Sequence, residues 1–249
     1  AVGRAASEHG AVAVLPAADV PTGALQLHRD ALPPGARLVA PPAAALDLAH
    51  DKVRLTELAA RLGVPVPDGF EGGPDAADDP RLANLGFPVV LKPARSRYLV
   101  DGRWRAAAVS IARDRDELRA ALRRGGPFAE RPFLVQRLVP GEGRGVFLLA
   151  RDGEVSCAFS HRRLREKPPW GGVSTLCEAA PPDPALLDSS RRLLAALRWS
   201  GVAMVEFKRD PATGRAWLME INGRFWGSMQ LAVAAGIDFP RLWLDQELR

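Results

Sequence analysis

The sequence predicts an α+β chain, a single sizeable core or two to three small lobes by its length, and three observations carry the mixed class. Residues 85–138 read as short strands around a single helix, a small sandwich of its own. From Gly141 onward strand patterns dominate, interrupted by one strong helix at 184–199. Near the C-terminal end two strand-like runs, 204–208 and 218–224, flank a short polar turn and read as a hairpin.

The elements follow in order. Ala11-Val12-Ala13-Val14-Leu15 is an apolar run that reads as a buried strand, and Arg37-Leu38-Val39-Ala40 before Pro41-Pro42 reads as another. Residues 47–62 read as one helix, because Leu55, Leu58, Ala59 and Leu62 share a face and Gly63 supplies a stop. Residues 64–67, alternating Val and Pro, form a linker, and 71–81, rich in Gly, Pro and Asp, a surface loop. A strand at 87–93 ends on Lys92 and Pro93; 109–112 is its neighbour, with 95–105 as the connecting loop. A short helix at 114–124 precedes a strand at 133–139. Strands follow at 145–151, 154–160 and 173–177. The helix at 184–199 carries the stripe Leu186, Leu187, Leu193, Leu194 and Leu197. Helices are expected at 228–235 and 240–249; the last has no terminating signal, so a chain cut short there is expected.

The hairpin holds the chemistry. Successive strand residues face opposite ways, so Glu206 and Lys208 share one face of the first run, and Glu220, Asn222 and Arg224 share one face of the second. Asp210-Pro211-Ala212-Thr213-Gly214 is strong turn chemistry. A loop over 211–215 sets Glu206 opposite Glu220, Val205 against Ile221 and Phe207 against Met219. A one-residue slip would mix apolar and charged partners on both faces. Two facing carboxylates repel unless something positive lies between them. Two Glu and an Asn form an all-oxygen set suited to a hard cation, and Mg²⁺ takes one or two carboxylates plus substrate phosphates. A solvated hairpin face is the alternative; Asn222 and Arg224 on that face favour a site.

Composition bounds the rest. The 249 residues, 47% hydrophobic and 25% charged, suit a globular protein, with no run of membrane-spanning length and no charged-then-apolar leader. No membrane association is expected, and a cytoplasmic location is. The net charge of +5 invites a nucleic-acid reading, but of 34 basic residues only Lys52, Lys92, Lys167 and Lys208 are lysine, and the arginines are scattered. No nucleic-acid partner is expected. Cys157 and Cys177 lack paired spacing, which speaks against a zinc site.

Lys92 closes an apolar strand, where an ammonium is costly unless paired; phosphate is the natural partner and a snorkelling lysine the alternative. Arg162-Arg163-Leu164-Arg165 through Pro168-Pro169-Trp170-Gly171-Gly172-Val173-Ser174-Thr175 reads as a basic, glycine-hinged loop. Gly172 lets backbone N–H groups approach an anion, and Ser174 and Thr175 add hydroxyls. It could close over phosphate or hold an acceptor substrate; an ordered surface loop is the alternative. His161 reads as structural.

Glu206-Phe207-Lys208 followed by Met219-Glu220-Ile221-Asn222-Gly223-Arg224 resembles the metal-binding hairpin of the ATP-grasp superfamily of ATP-dependent ligases. The resemblance covers residues 47–249 and is closest, over 195–240, to uncharacterised carboligases related to carbamoyl-phosphate synthase large subunits and biotin carboxylases. It implies two α+β lobes gripping ATP: a partial α/β segment over 1–50, an N-terminal lobe with its small lid over 51–138, and a C-terminal lobe over 139–249. It implies Glu206, Glu220 and Asn222 as ligands of Mg²⁺ (or Mn²⁺), and Arg224 as electrophilic stabiliser. Lys52 and Lys92 resemble the family's two nucleotide lysines. Gln136-Arg137-Leu138-Val139-Pro140-Gly141 resembles the hinge that pairs with adenine, with Gln136 where relatives often have Glu and with Leu138 and Val139 acting through their backbone.

The implied activity is a carboxylate–amine ligase that makes an acyl phosphate and passes it to an amine or similar nucleophile, possible as a homodimer. The alternative is a nucleotide-binding sensor derived from the same domain. Two departures stand out. Arg95, Ser96 and Arg97 replace a glycine-rich flap after Lys92, so side chains are expected to contact phosphate more than backbone does. About 50 residues precede Lys52 where the family has a lobe nearer a typical ~100-residue domain, which implies truncation.

Overall fold

The computed structural model describes residues 1–126, 128, 131–168 and 171–249. Contacts divide the chain into two units: Ala1–Leu46, Glu142–Phe207 and Ile221–Arg249 form the first, Asp47–Gly141 and Lys208–Glu220 the second. Among the described residues no helix is long and apolar enough to cross a membrane.

The chain opens with α1 (Val2–Glu8), β1 (Ala13–Val14), α2 (Asp19–Leu27), β2 (Arg37–Leu38) and α3 (Ala43–His50). β1 and β2 pair in parallel. The expected strand at 11–15 is thus shorter than its apolar run, and Val12 lies 61% exposed. The single helix expected over 47–62 is two, α3 and α4 (Lys52–Arg61). Asp51 separates them, its carboxylate accepting from the N–H groups of Val53 and Arg54. An aspartate that satisfies the first free amides starts a new helix more readily than it continues an old one.

In the second unit, β3 (Gly69–Gly72), α5 (Arg81–Leu85), β4 (Val89–Pro93), β5 (Arg97–Val100), β6 (Arg103–Ala106), β7 (Ser110–Ala112), α6 (Arg115–Arg123) and β8 (Phe133–Arg137) follow. The main sheet has the order β3-β8-β4-β7, antiparallel throughout. Phe70, Val89, Leu91, Ala112, Phe133 and Val135 line one face and pack with Leu82, Leu85 and Leu118 of α5 and α6. The loop expected at 95–105 is the β5–β6 hairpin. Asp101 and Gly102 take φ of 48° and 71°, the two-residue turn that Asp-Gly favours.

In the first unit, β9 (Glu142–Arg151), β10 (Glu154–Lys167), β11 (Val173–Ala179), α7 (Pro184–Ala196), β12 (Gly201–Arg209), β13 (Ala216–Asn222), α8 (Met229–Ala234) and α9 (Phe239–Leu248) complete the chain; the second unit takes Lys208–Glu220 from β12 and β13. These strands form one sheet in the order β11-β10-β9-β12-β13. Val146 to Ala150 are all buried, so β9 is covered on both faces, with α7 packing on β9 and β10 and α9 on β9. Phe147, Leu149, Phe159, Val202 and Met204 pack with Trp226, Phe239 and Trp243. Much of the expected basic loop is strand, since β10 runs to Lys167; its Pro169-Trp170 portion lies outside the described residues.

Candidate functional site

One face of the five-stranded sheet grades from core to polar cluster. By strand alternation β9 presents Leu149, Phe147, Gly145 and Gly143; β10 presents Phe159, His161 and Arg163; β12 presents Val202, Met204 and Glu206. The apolar members belong to the core around Trp226. The others do not.

Glu206 and Asn222 are only 9% and 7% exposed, so neither is a solvated side chain. Asn222 Nδ2 donates to Glu206 Oε1 at 3.2 Å. The Arg163 guanidinium pairs closely with Glu206 and also donates to Glu166 Oε1 at 3.2 Å and to the Gly172 carbonyl at 3.2 Å. Burial works against the charge on Arg163, but Glu206 and Glu166 outweigh it and hold the guanidinium above its ordinary pKa. Arg224 donates to Asp19 Oδ1 at 2.8 Å, to Asn222 Oδ1 at 3.2 Å and to the Phe225 carbonyl at 3.1 Å. Each carboxylate and amide here has a charged partner.

Arg163 sits on β10 and Glu206 on β12, with β9 between them. The side chain crosses β9 at a glycine. A Cβ on Gly143 would lie 2.5 Å from both Arg163 Cδ and Glu166 Oε1. Two residues along, a Cβ on Gly145 would lie 2.7 Å from His161 Nε2 and 2.8 Å from Phe147 Cζ. His161 is buried, its Nδ1 3.1 Å from Ser228 Oγ, while Nε2 is buried without a partner among the described residues. Burial first, and the Arg163 charge second, push its pKa down to about 4, so the ring is neutral at pH 7.

The second unit gathers positive charge. On β4 and β8 the register pairs Val90 with Gln136 and Lys92 with Leu134, so Lys92 and Gln136 share the sheet face opposite the α5/α6 core. The Lys92 ammonium donates to the Met219 thioether at 3.8 Å, a weak acceptor. Burial pushes Lys92 down to about 8; Glu220 opposes that shift, while Lys52 and Lys208 add to it. Lys52, the first residue of α4, donates to Ser96 Oγ at 2.8 Å and lies 3.8 Å from Glu220 Oε2. A cation at a helix N-terminus opposes the helix dipole, so a nearby anion relieves it. Three lysines around one glutamate leave a positive excess suited to phosphate.

Gln136 is 3% exposed, and no hydrogen bond joins its side-chain amide to another described residue. The Leu138 N–H, expected to meet adenine, donates to the Pro88 carbonyl at 3.1 Å. Arg137 is exposed, 3.6 Å from Asp68, and Val139 is buried. The structure does not gather Ser174 and Thr175 with Glu206: their hydroxyls meet the Leu176 and Arg165 carbonyls at 3.4 and 3.3 Å. Gly172 is tied to the cluster through Arg163, by its carbonyl and not its N–H. Sequence reasoning missed Arg163, Glu166 and Asp19. The signal for the first was present as His161-x-Arg163 beside Gly143-x-Gly145, a strand with side chains opposite one without.

The donors fit a hard cation. Glu206 and Asn222 offer only oxygen as metal ligands, and a guanidinium already rests on Glu206 as a stand-in positive charge. Among the described residues no cluster of three His, Cys, Asp or Glu side chains could hold a metal, so phosphate and water would complete the shell.

Residues 129–249 match the family model described as ATP-grasp in the biosynthetic pathway with Ter operon. The fold matches the biotin carboxylase of Campylobacter jejuni, solved as a β,γ-ATP complex, with a TM-score of 0.76 at 17% identity over 97% of this chain and 55% of that one. This chain has the ATP-grasp fold. It is 24% identical over 252 residues to a putative urea carboxylase of Emericella nidulans, covering 97% of this chain and 20% of that protein. It is 32% identical over 183 residues to a carbamoyl phosphate synthase large chain of Thermus thermophilus, covering 70% of this chain and 17% of that one. The chain thus spans about a fifth of the length of these two relatives.

Proposed function

We propose that this chain is an ATP-grasp ligase that binds Mg·ATP and activates a carboxylate as an acyl phosphate, which an amine or similar nucleophile then attacks to give an amide-type bond. The observation that carries the reading is the division of charge along β13. Glu220 belongs to a lysine-rich group suited to phosphate, and two residues later Asn222 belongs to a carboxylate group suited to a metal.

In this reading Lys52 and Lys92 hold phosphate oxygens and lower the cost of the negative charge there. The Gln136 amide, on the sheet face it shares with Lys92, takes the base edge. Glu206, Glu220 and Asn222 are the metal ligands. Bound Mg²⁺, or Mn²⁺ in its place, would neutralise the γ-phosphate and polarise it toward attack. Arg224, fixed by Asp19, keeps the Asn222 amide oriented and presents positive charge beside the transferring group. The lobes at 51–138 and 139–249, the homodimer, and substrate roles for Gly172, Ser174 and Thr175 belong to the same proposal.

Phosphate release from Mg·ATP across a panel of carboxylates and amines tests it. Release that requires both a carboxylate and a nucleophile is expected. Tight ATP binding with no release from any pair would replace the ligase with a nucleotide sensor.

A further inference from the structure

The geometry points to Arg163 as a resident counter-cation that holds Glu206 until a divalent metal arrives and then turns to the phosphate. The inference rests on the Mg·ATP reading but concerns a residue outside that ligand set. Glu166, Arg163 and Glu206 form a partly buried triad, each side chain 11–12% exposed. Two carboxylates on one guanidinium leave a net charge of −1 in a place where water screens poorly. The Asn222 amide occupies one Glu206 oxygen and Arg163 the other. A divalent ion taking a lone pair of Glu206 must approach that guanidinium, and two positive groups on one carboxylate repel.

Arg163 is equipped to yield. Its Nε is buried without a partner among the described residues, so a hydrogen-bond donor stands idle in the present arrangement. A buried N–H left unpaired is costly, and a phosphate oxygen would recover that loss. Gly143 leaves the lane across β9 open along the side chain's path. Glu166 remains as an anchor when Glu206 is taken by metal, so the guanidinium turns without losing all its partners. Arg163 is thus a positioning residue, making Glu206 poor at holding metal alone and good at holding metal that arrives with phosphate.

Mn²⁺ binding followed by electron paramagnetic resonance tests this, with and without a non-hydrolysable ATP analogue. Arg163→Met should bind Mn²⁺ alone about tenfold more tightly and Mn²⁺·nucleotide about tenfold more weakly, the scale of typical coupling between sites. Glu166→Gln, which leaves Arg163 wholly to Glu206, should weaken binding of Mn²⁺ alone. A purely structural role would shift both variants the same way. Mn²⁺ affinity without nucleotide that is unchanged or weaker in Arg163→Met, with the variant folded by circular dichroism, overturns the inference. If no form binds the nucleotide, the Mg·ATP reading fails, while the opposite responses to Mn²⁺ alone still decide the role of Arg163.

Discussion

Asn222 donates to Glu206 across the β12–β13 hairpin, and in doing so turns its amide oxygen to Arg224. The pair is buried, so neither group can exchange its partner for bulk water at no cost. Asn222→Leu removes a donor from Glu206 and an acceptor from Arg224 together. We expect turnover to fall by about 100-fold or more, the scale lost with one positioned polar group in a water-poor site. Steady-state phosphate release measures it.

Lys92 makes nucleotide binding depend on pH. Its folded pKa lies at about 8, below the ordinary 10.5, so the free protein loses this ammonium as pH rises through about 8. Phosphate favours the charged form, hence binding above that pH takes up a proton and affinity declines. Titration calorimetry from pH 7 to 9.5 should show that decline in the wild type and its loss in Lys92→Met. An affinity flat across that range contradicts the placement.

His161 sets the acid limit of stability. Its folded pKa, about 4, lies below the ordinary 6.5. A depressed value means that the unfolded chain binds the extra proton first. The stability contribution is therefore complete above 6.5 and is lost as pH falls toward 4. The difference amounts to about 3 kcal/mol across that window. Urea unfolding at pH 7 and at pH 4.5 should show it, and His161→Leu should flatten the profile.

Gly143→Ala and Gly145→Ala should part company. A Cβ at 143 meets the flexible end of Arg163, whereas one at 145 meets the buried rings of His161 and Phe147. The first should lower Mn²⁺·nucleotide affinity with little change in melting temperature. The second should cost about 1–3 kcal/mol of stability, as overpacking does. Thermal unfolding of both variants decides.

Gln136→Leu should harm binding. Gln136 shares the sheet face of Lys92, and with its amide reading the base the change weakens ATP by about tenfold. Titration calorimetry measures it.

The hairpin was legible because its residues state both periodicity and chemistry: alternation fixes the faces, and Asp210 to Gly214 fixes the turn. The strand ending on Lys92 and the helix capped by Asp114 were legible for the same local reasons. The break at Asp51 was hidden because helical periodicity continues through it, and only the capping carboxylate marks the restart. The 95–105 hairpin was hidden under arginines, although Asp101-Gly102 announced the turn. Arg163 was harder to single out, because its signal lies in the match between two strands. Its role depends on a glycine one strand away and a glutamate two strands away, a relation that neighbouring residues do not encode.

Calorimetric titration of ATP with and without Mg²⁺, into the wild type, Lys92→Met and Glu206→Gln, tests the central claim most directly. The account predicts that Mg²⁺ tightens ATP binding to the wild type, that Glu206→Gln abolishes this gain, and that Lys92→Met weakens binding under both conditions. Binding that ignores Mg²⁺ and is equal in all three proteins would contradict it.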